Sequence, residues 1–189
     1  MRSTTRRSWL TWAAALAALA AATPAGATTA VALSNRAMAE GAEVIATGRC
    51  VDVRSVWEGR TLVTLATIAL DDVLKGDVAG TVTVALPGGV DANRRFPVAM
   101  TYPGAPQIAV DEAVFLFLDR GNGASAALTV MGFSQGKFSI VDDGRGERAV
   151  SRNLSGLTLR SAGVDRPAVV TRSPLDAFKD EIRGYLQKP

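Results

Sequence analysis

Short strand-like segments separated by glycine- and proline-containing turns occupy most of the chain between residues 43 and 152. Residues 80–86 alternate apolar and polar side chains, which is typical of a half-buried strand. Residues 61–73 and 113–118 are apolar on both faces, which indicates strands covered on both sides. No internal repeat or alternation of strands with long helices is visible. The chain is therefore predicted to be mainly β.

The first strand, at about residues 43–56, carries an unusual pattern. Its apolar residues share one face as far as Cys50 and then move to the other face from Val51. A period of two can change phase only at an inserted residue or a sharp bend, and Gly48 permits both. We predict a strand bulged near Gly48–Val51, with Cys50 buried at the change of face as a small apolar residue.

A helix is predicted near each end of this β region. Residues 33–41 can form a short helix capped by Ser34 or Asn35, and residues 174–187 form an amphipathic helix after Ser173. Five or six short strands with a bent first strand favour a small closed barrel of the OB type. We expect one domain at 28–189, with its core at 42–152, the short N-terminal helix and the C-terminal helix; residues 153–172 read as irregular.

The N-terminal residues resemble an export signal. A basic head precedes an apolar run, Trp9–Ala22, and Ala25-Gly26-Ala27 matches a cleavage site, so the mature chain is expected to begin at Thr28. Arg6-Arg7 is also compatible with a twin-arginine signal, so two export routes stay open. No later segment is apolar enough to span a membrane. The location expected is periplasmic or extracellular.

Charge and composition exclude several functions. Three arginines and no acidic residues lie in the expected signal, so the rest has 18 basic and 18 acidic residues. A neutral mature chain with Trp57 as its one tryptophan lacks the basic, aromatic groove that single-stranded nucleic acid needs, so no nucleic-acid partner is expected. The chain has no histidine, which removes histidine-dependent nucleophiles and zinc sites. The acidic turn at 142–147 lacks the spacing of a calcium loop. No metal or cofactor is expected.

The segment between residues 87 and 110 is long for a loop in a small domain. Loops of this length are commonly functional. Four of its side chains are suited to contact a partner: Arg94, Arg95, Phe96 and Tyr102. The opposing interpretation is that the aromatic residues pack on the barrel and the arginines are only solvated.

The segment Gly132-Phe133-Ser134-Gln135-Gly136-Lys137-Phe138 matches two catalytic patterns, G-x-S-x-G and S-x-x-K. The first requires a histidine, and the second requires a helix that places both side chains on one face. Strand-like alternation after Lys137 indicates instead a joint between two strands, with Ser134 and Lys137 meeting solvent. We therefore expect no catalytic residue; the alternative is a hydrolase with a Ser134–Lys137 dyad.

The order of elements over residues 33–141 resembles the netrin-like OB domain of the tissue inhibitors of metalloproteinases, and also bacterial exported proteins of unknown role. The resemblance rests on three short motifs: Ala42-Glu43-Val44-Ile45, Val73-Leu74-Lys75-Gly76 and residues 111–117. It implies an OB fold. Those inhibitors act through an N-terminal cysteine, whereas this chain would begin at Thr28 and has only Cys50. No inhibitory residue can therefore be carried over.

Together these observations favour an exported, non-catalytic binding module, either peptidase-inhibitor-like or an envelope interaction protein. Its partner would be another exported protein, such as a secreted peptidase or an envelope component.

Overall fold

The computed structural model describes residues 28–121, 127–142, 144, 146–154, 156–161, 164–167 and 171–187. The expected signal, residues 1–27, lies outside them. The strands and helices are β1 (Thr28–Val31), α1 (Asn35–Gly41), β2 (Val44–Glu58), β3 (Thr61–Lys75), β4 (Thr81–Pro87), β5 (Gly89–Asp91), β6 (Val98–Met100), β7 (Ala113–Arg120), β8 (Leu128–Val130), β9 (Lys137–Asp142), β10 (Arg148–Arg152), β11 (Leu157–Ser161), β12 (Val164–Pro167), β13 (Thr171–Pro174) and α2 (Leu175–Gln187).

The main sheet has eight strands in the order β13-β10-β9-β7-β2-β3-β4-β8. The last of these, β8, runs parallel to β4 and also pairs antiparallel with β7. Two smaller sheets, β1-β11-β12 and β5-β6, complete the strands of the described residues. The prediction of a mainly β fold is confirmed, and the strands outnumber the five or six predicted.

The long strand β2 bends as predicted. Its register with β3 shifts between Ile45 and Ala46, between Thr47 and Gly48, and between Cys50 and Asp52. A Cβ on Gly48 would lie 2.3 Å from the carbonyl oxygen of Ala69, so only glycine allows the two backbones to approach this closely. Cys50 is completely buried, as predicted. The bend lets β2 pair with β7 through its first half and with β3 along its whole length.

Buried apolar side chains form two clusters on opposite faces of the strands. The inner cluster comprises Val44, Ala46, Cys50, Ala66, Ile68, Val82, Val84, Leu86, Ile108, Val114, Leu116, Leu118 and Val130. The helix-side cluster comprises Met38, Ala39, Ala42, Ile45, Phe115, Phe117, Phe138, Ile140, Val150, Leu175, Phe178 and Ile182. Successive residues of β7 enter alternate clusters, which explains why this strand is uniformly apolar.

Both helices pack on the helix-side cluster. Ser34 caps α1 by accepting a hydrogen bond from the backbone N–H of Ala37 at 3.1 Å. In α2, Leu175, Phe178 and Ile182 are buried, as the apolar stripe predicts. The predicted start needs correction, because Ser173 and Pro174 belong to β13 and the helix begins at Leu175.

The prediction that residues 153–172 are irregular is wrong. This stretch contains β11, β12 and the start of β13, and β11 pairs in parallel with β1 at the other end of the described chain. The strand β10 lies inside the main sheet, between β9 and β13. Short strands of this kind are hard to recognise in a sequence, because remote segments decide which of their faces is buried.

The strand β8 is only three residues long, because the chain enters a turn at Met131. The long loop at 87–110 contains the β5–β6 hairpin. No helix among the described residues is long and apolar enough to cross a membrane.

Candidate functional site

The β5–β6 hairpin is held to the main sheet by a carboxylate at its base. Asp91 Oδ2 accepts hydrogen bonds from Trp57 Nε1 at 2.7 Å and from Arg94 Nε at 2.9 Å, and Oδ1 accepts from the backbone N–H of Asn93 at 3.2 Å. The Arg94 guanidinium also lies 4.6 Å from the centre of the Trp57 ring. The hydrogen bond from Trp57, followed by those from Asn93 and Arg94, lowers the pKa of Asp91.

The hairpin projects two of the predicted partner-binding residues. Phe96 is 74% exposed, and the Arg95 guanidinium lies 5.5 Å from its ring centre. Arg94 is also at the tip, but its guanidinium is occupied by Asp91 and Trp57 and so supports the hairpin. The aromatic side chain of Phe96 therefore does not fold back onto the sheet. An exposed aromatic side chain beside a guanidinium is typical of the hot spots of protein-binding surfaces.

Tyr102, the fourth predicted residue, lies apart from this tip. It is 40% exposed and lines a cavity of about 460 Å³ formed by residues 101–107 against Ser134, Lys137, Ser139 and Asn153. The structure therefore places the predicted residues in two neighbouring surfaces, the hairpin tip and this cavity, which we call the Ser134 cavity.

An ion pair forms one wall of the Ser134 cavity. Lys137 Nζ donates to Glu112 Oε1 and to Ser139 Oγ, and Ser139 Oγ donates to the same carboxylate oxygen at 2.6 Å. Glu112 Oε2 accepts from the backbone N–H of Ala109 at 3.0 Å. Burial acts to raise the pKa of Glu112, but the hydrogen bonds from Lys137, Ser139 and Ala109 outweigh it and lower the pKa.

The prediction that Ser134 and Lys137 meet solvent is wrong for Ser134, whereas the Lys137 side chain is 16% exposed. Ser134 is 6% exposed, and its Oγ has no hydrogen-bond partner among the described residues. The predicted joint between strands is confirmed, since residues 131–136 form a turn that hydrogen bonds to β7 through Phe117. Because Ser134 lies in this turn and not in β9, strand alternation does not separate it from Lys137, and both line the same cavity.

Gln135 is held in this turn by three hydrogen bonds, and no sequence pattern marks it as important. It is 1% exposed, its Oε1 accepts from Leu33 N at 2.8 Å, and its Nε2 donates to Val31 O at 2.8 Å and Gly132 O at 3.2 Å. Gln135 therefore ties the segment between β1 and α1 to the turn. A buried amide satisfied by distant backbone leaves no signal in sequence spacing.

Other reactive groups are sparse in the part of the chain that the structure describes. No three acidic, histidine or cysteine side chains lie close enough there to hold a metal ion. Burial raises the pKa of the Cys50 thiol, which makes it less reactive. Part of the acidic turn at 142–147 lies outside the described residues. Comparison with protein-family models and with curated protein sequences finds no match to this chain.

Proposed function

We propose that this chain is an exported, non-catalytic binding domain of the OB type that engages another exported protein through the tip of the β5–β6 hairpin. The observation that carries the proposal is the contrast between the two ends of this hairpin. Its base is held by Trp57, Asp91 and Arg94, while Phe96 at its tip is 74% exposed. A loop ordered before binding loses less conformational entropy when a partner docks.

The strand pairings support the OB part of the proposal. In OB folds five strands close into a small barrel, and a strongly bent first strand contributes to both halves. Here β7, β2, β3, β4 and β8 follow one another in the sheet, and β8 pairs back onto β7. The inner cluster fills the space that such a ring would enclose.

The resemblance to the metalloproteinase inhibitors extends in this proposal to the fold alone. Thr28, the expected mature N-terminus, pairs with Leu157 in the sheet of β1 and β11, and its Oγ1 donates to Pro103 O at 2.7 Å. A residue held in this way is poorly placed to enter another protein's active site. The hairpin tip therefore replaces the N-terminus as the proposed contact surface.

The experiment is capture of a partner from the native exported fraction, followed by affinity measurement with the captured protein. Loss of a central aromatic anchor costs about 2 kcal/mol or more, so Phe96→Ala should weaken binding by roughly 30-fold or more. Arg95→Ala should weaken it less. The matched control is Val51→Ala, because Val51 is also an exposed apolar residue but lies in β2. Equal affinities for Phe96→Ala and Val51→Ala would rule out the hairpin tip.

A second candidate function, hydrolysis by a Ser134–Lys137 dyad, is favoured by the position of both residues in the wall of one cavity, where Ser134 is buried. Against it, Lys137 donates to Glu112 and Ser139, so its ammonium group is engaged by these two side chains. A serine-directed fluorophosphonate probe separates the two functions. Labelling that disappears in Ser134→Ala and persists in the exposed-serine control Ser161→Ala would establish the dyad and contradict a non-catalytic domain.

A further inference from the structure

Arg152, the last residue of β10, carries a charge that no acidic residue in the described part of the chain neutralises. Its guanidinium lies 4.8 Å from the centre of the Phe138 ring, and Nη1 donates to the Gln135 carbonyl oxygen at 3.3 Å. Its Nε is buried and has no acceptor, and no carboxylate of the described residues pairs with it. Burial lowers the pKa of Arg152, and none of the described acidic residues raises it again.

An uncompensated guanidinium of this kind is costly. Charged groups that leave water are normally paired with an opposite charge, since an unpaired buried charge is strongly destabilising. The ring of Phe138 offers a partial compensation through its negative face. It does not supply the acceptors that the guanidinium N–H groups require. An external acceptor would supply them.

A cavity of about 130 Å³ adjoins this guanidinium, between the end of β10, the strand β13 and the two helices. Its polar lining is Asn35, Arg152, Thr171, Arg172, Ser173 and Glu181. Glu181 is the one carboxylate in this lining, and its Oε1 already accepts from Asn35 Nδ2 at 3.1 Å and from Tyr185 Oη at 3.0 Å. Two arginines and two hydroxyl groups therefore outnumber one carboxylate that is already engaged.

We propose that this cavity, the Arg152 cavity, binds a phosphate group. A guanidinium presents its N–H donors in a planar fork that matches two oxygens of a phosphate, and the Nε–H of Arg152 has no acceptor among the described residues. Arg172 and the hydroxyl groups of Thr171 and Ser173 add further donors around the cavity. An engineered cavity of about 150 Å³ accepts benzene, so a volume near 130 Å³ accommodates a five-atom oxyanion. The site is independent of the hairpin tip.

The test is a titration of the full mature chain with inorganic phosphate and, separately, with glycerol 3-phosphate, at constant ionic strength in sodium chloride. At a ligand concentration about ten times Kd, a site in the native state should raise Tm by about 3–5 °C. The ¹⁵N resonance of the Arg152 Nε–H should shift along the same titration. A response to both ligands indicates a site open to phosphomonoesters, and a response to phosphate alone indicates a free ion.

Three variants connect the response to the arginine. Arg152→Met should abolish the rise in Tm, while Arg152→Lys, which keeps the charge without the fork, should weaken binding by about tenfold or more. The control is Arg60→Met, because Arg60 is exposed in the β2–β3 turn and should leave binding unchanged. Equal responses in the native chain and in Arg152→Met, or an Nε–H signal that does not move, would overturn the proposal. If Arg152→Met does not fold, the Nε–H shift and the Arg152→Lys affinity still decide.

Discussion

Replacement of Gln135 by leucine tests how the turn between β8 and β9 organises the N-terminal segment. Leucine keeps most of the volume of glutamine but removes the three hydrogen bonds to Leu33, Val31 and Gly132. Leaving the N–H of Leu33 without an acceptor costs about 1–3 kcal/mol of folding stability. Loss of the hydrogen bond to each of the two carbonyls costs about 0.5–1.5 kcal/mol, and less where water reaches the carbonyl. Val31 is exposed, so its carbonyl can recruit water. We expect a loss of about 2–4 kcal/mol in the free energy of unfolding.

Urea denaturation followed by circular dichroism measures this loss. With a slope of about 2 kcal/mol/M, the midpoint should fall by about 1–2 M. Amide exchange of Leu33 should accelerate in the same variant, because this N–H loses its acceptor. The matched control is Gln187→Leu, at the exposed end of α2, which should change the midpoint little. A midpoint for Gln135→Leu equal to that of the control would refute the reasoning.

The charged substitution Gln135→Glu sharpens the same prediction. One carboxylate oxygen would still accept from Leu33 N, but the other, in the place of Nε2, would face the carbonyl oxygens of Val31 and Gly132 without a donor. Such a group is expected to have a raised pKa, so the variant should be more stable at pH 4 than at pH 7 relative to the native chain. A constant difference between the two pH values would contradict the hydrogen-bond assignment.

Three further predictions concern the core, the ion pair and the cysteine. Phe178→Ala, at a residue that is 3% exposed, should cost about 3–5 kcal/mol in urea denaturation, whereas Phe96→Ala should cost less than about 0.5 kcal/mol; similar costs would contradict the assigned packing. The folded-state pKa of Glu112 is lowered, so ionised Glu112 contributes to the free energy of unfolding above its ordinary pKa of 4.5, and this contribution is lost as the pH falls further. The variant Glu112→Gln should therefore lose less stability between pH 6 and pH 3 than the native chain. Parallel pH curves would argue against the ion pair with Lys137. Burial raises the pKa of Cys50 and shields it, so its labelling by a disulfide reagent should proceed at the rate of unfolding, and rapid native-state labelling would refute this.

Patterns among neighbouring residues in the sequence predict much of the architecture. The change of apolar face at Cys50 is visible in the sequence because a bulge must interrupt a period of two, and β2 shows the register shifts there. The apolar stripe of α2 and the Ser34 cap are likewise properties of neighbouring residues. The turn at 131–136 follows from its glycines, since Gly132 adopts a φ of 62°.

The candidate sites depended on contacts that no local pattern encodes. Arg94 could be placed in a long loop from the sequence, but its pairing with Asp91 and Trp57, and hence the exposure of Phe96, depends on the hairpin docking against β2. The burial of Ser134 and the hydrogen bond between Leu33 N and Gln135 Oε1 likewise arise from packing against distant segments.

The sequence thus determined the strands β2, β3, β4 and β7, the two helices and their apolar faces, because those properties depend on residues a few positions apart. Tertiary structure alone decided that β1 pairs with β11, that Lys137 forms an ion pair with Glu112, and that Arg152 has no counter-ion among the described residues. The physical reason is that burial and pairing depend on which remote segment covers a side chain. Two residues of the same type can therefore be buried at one position and exposed at another, even when their neighbours in the sequence are similar.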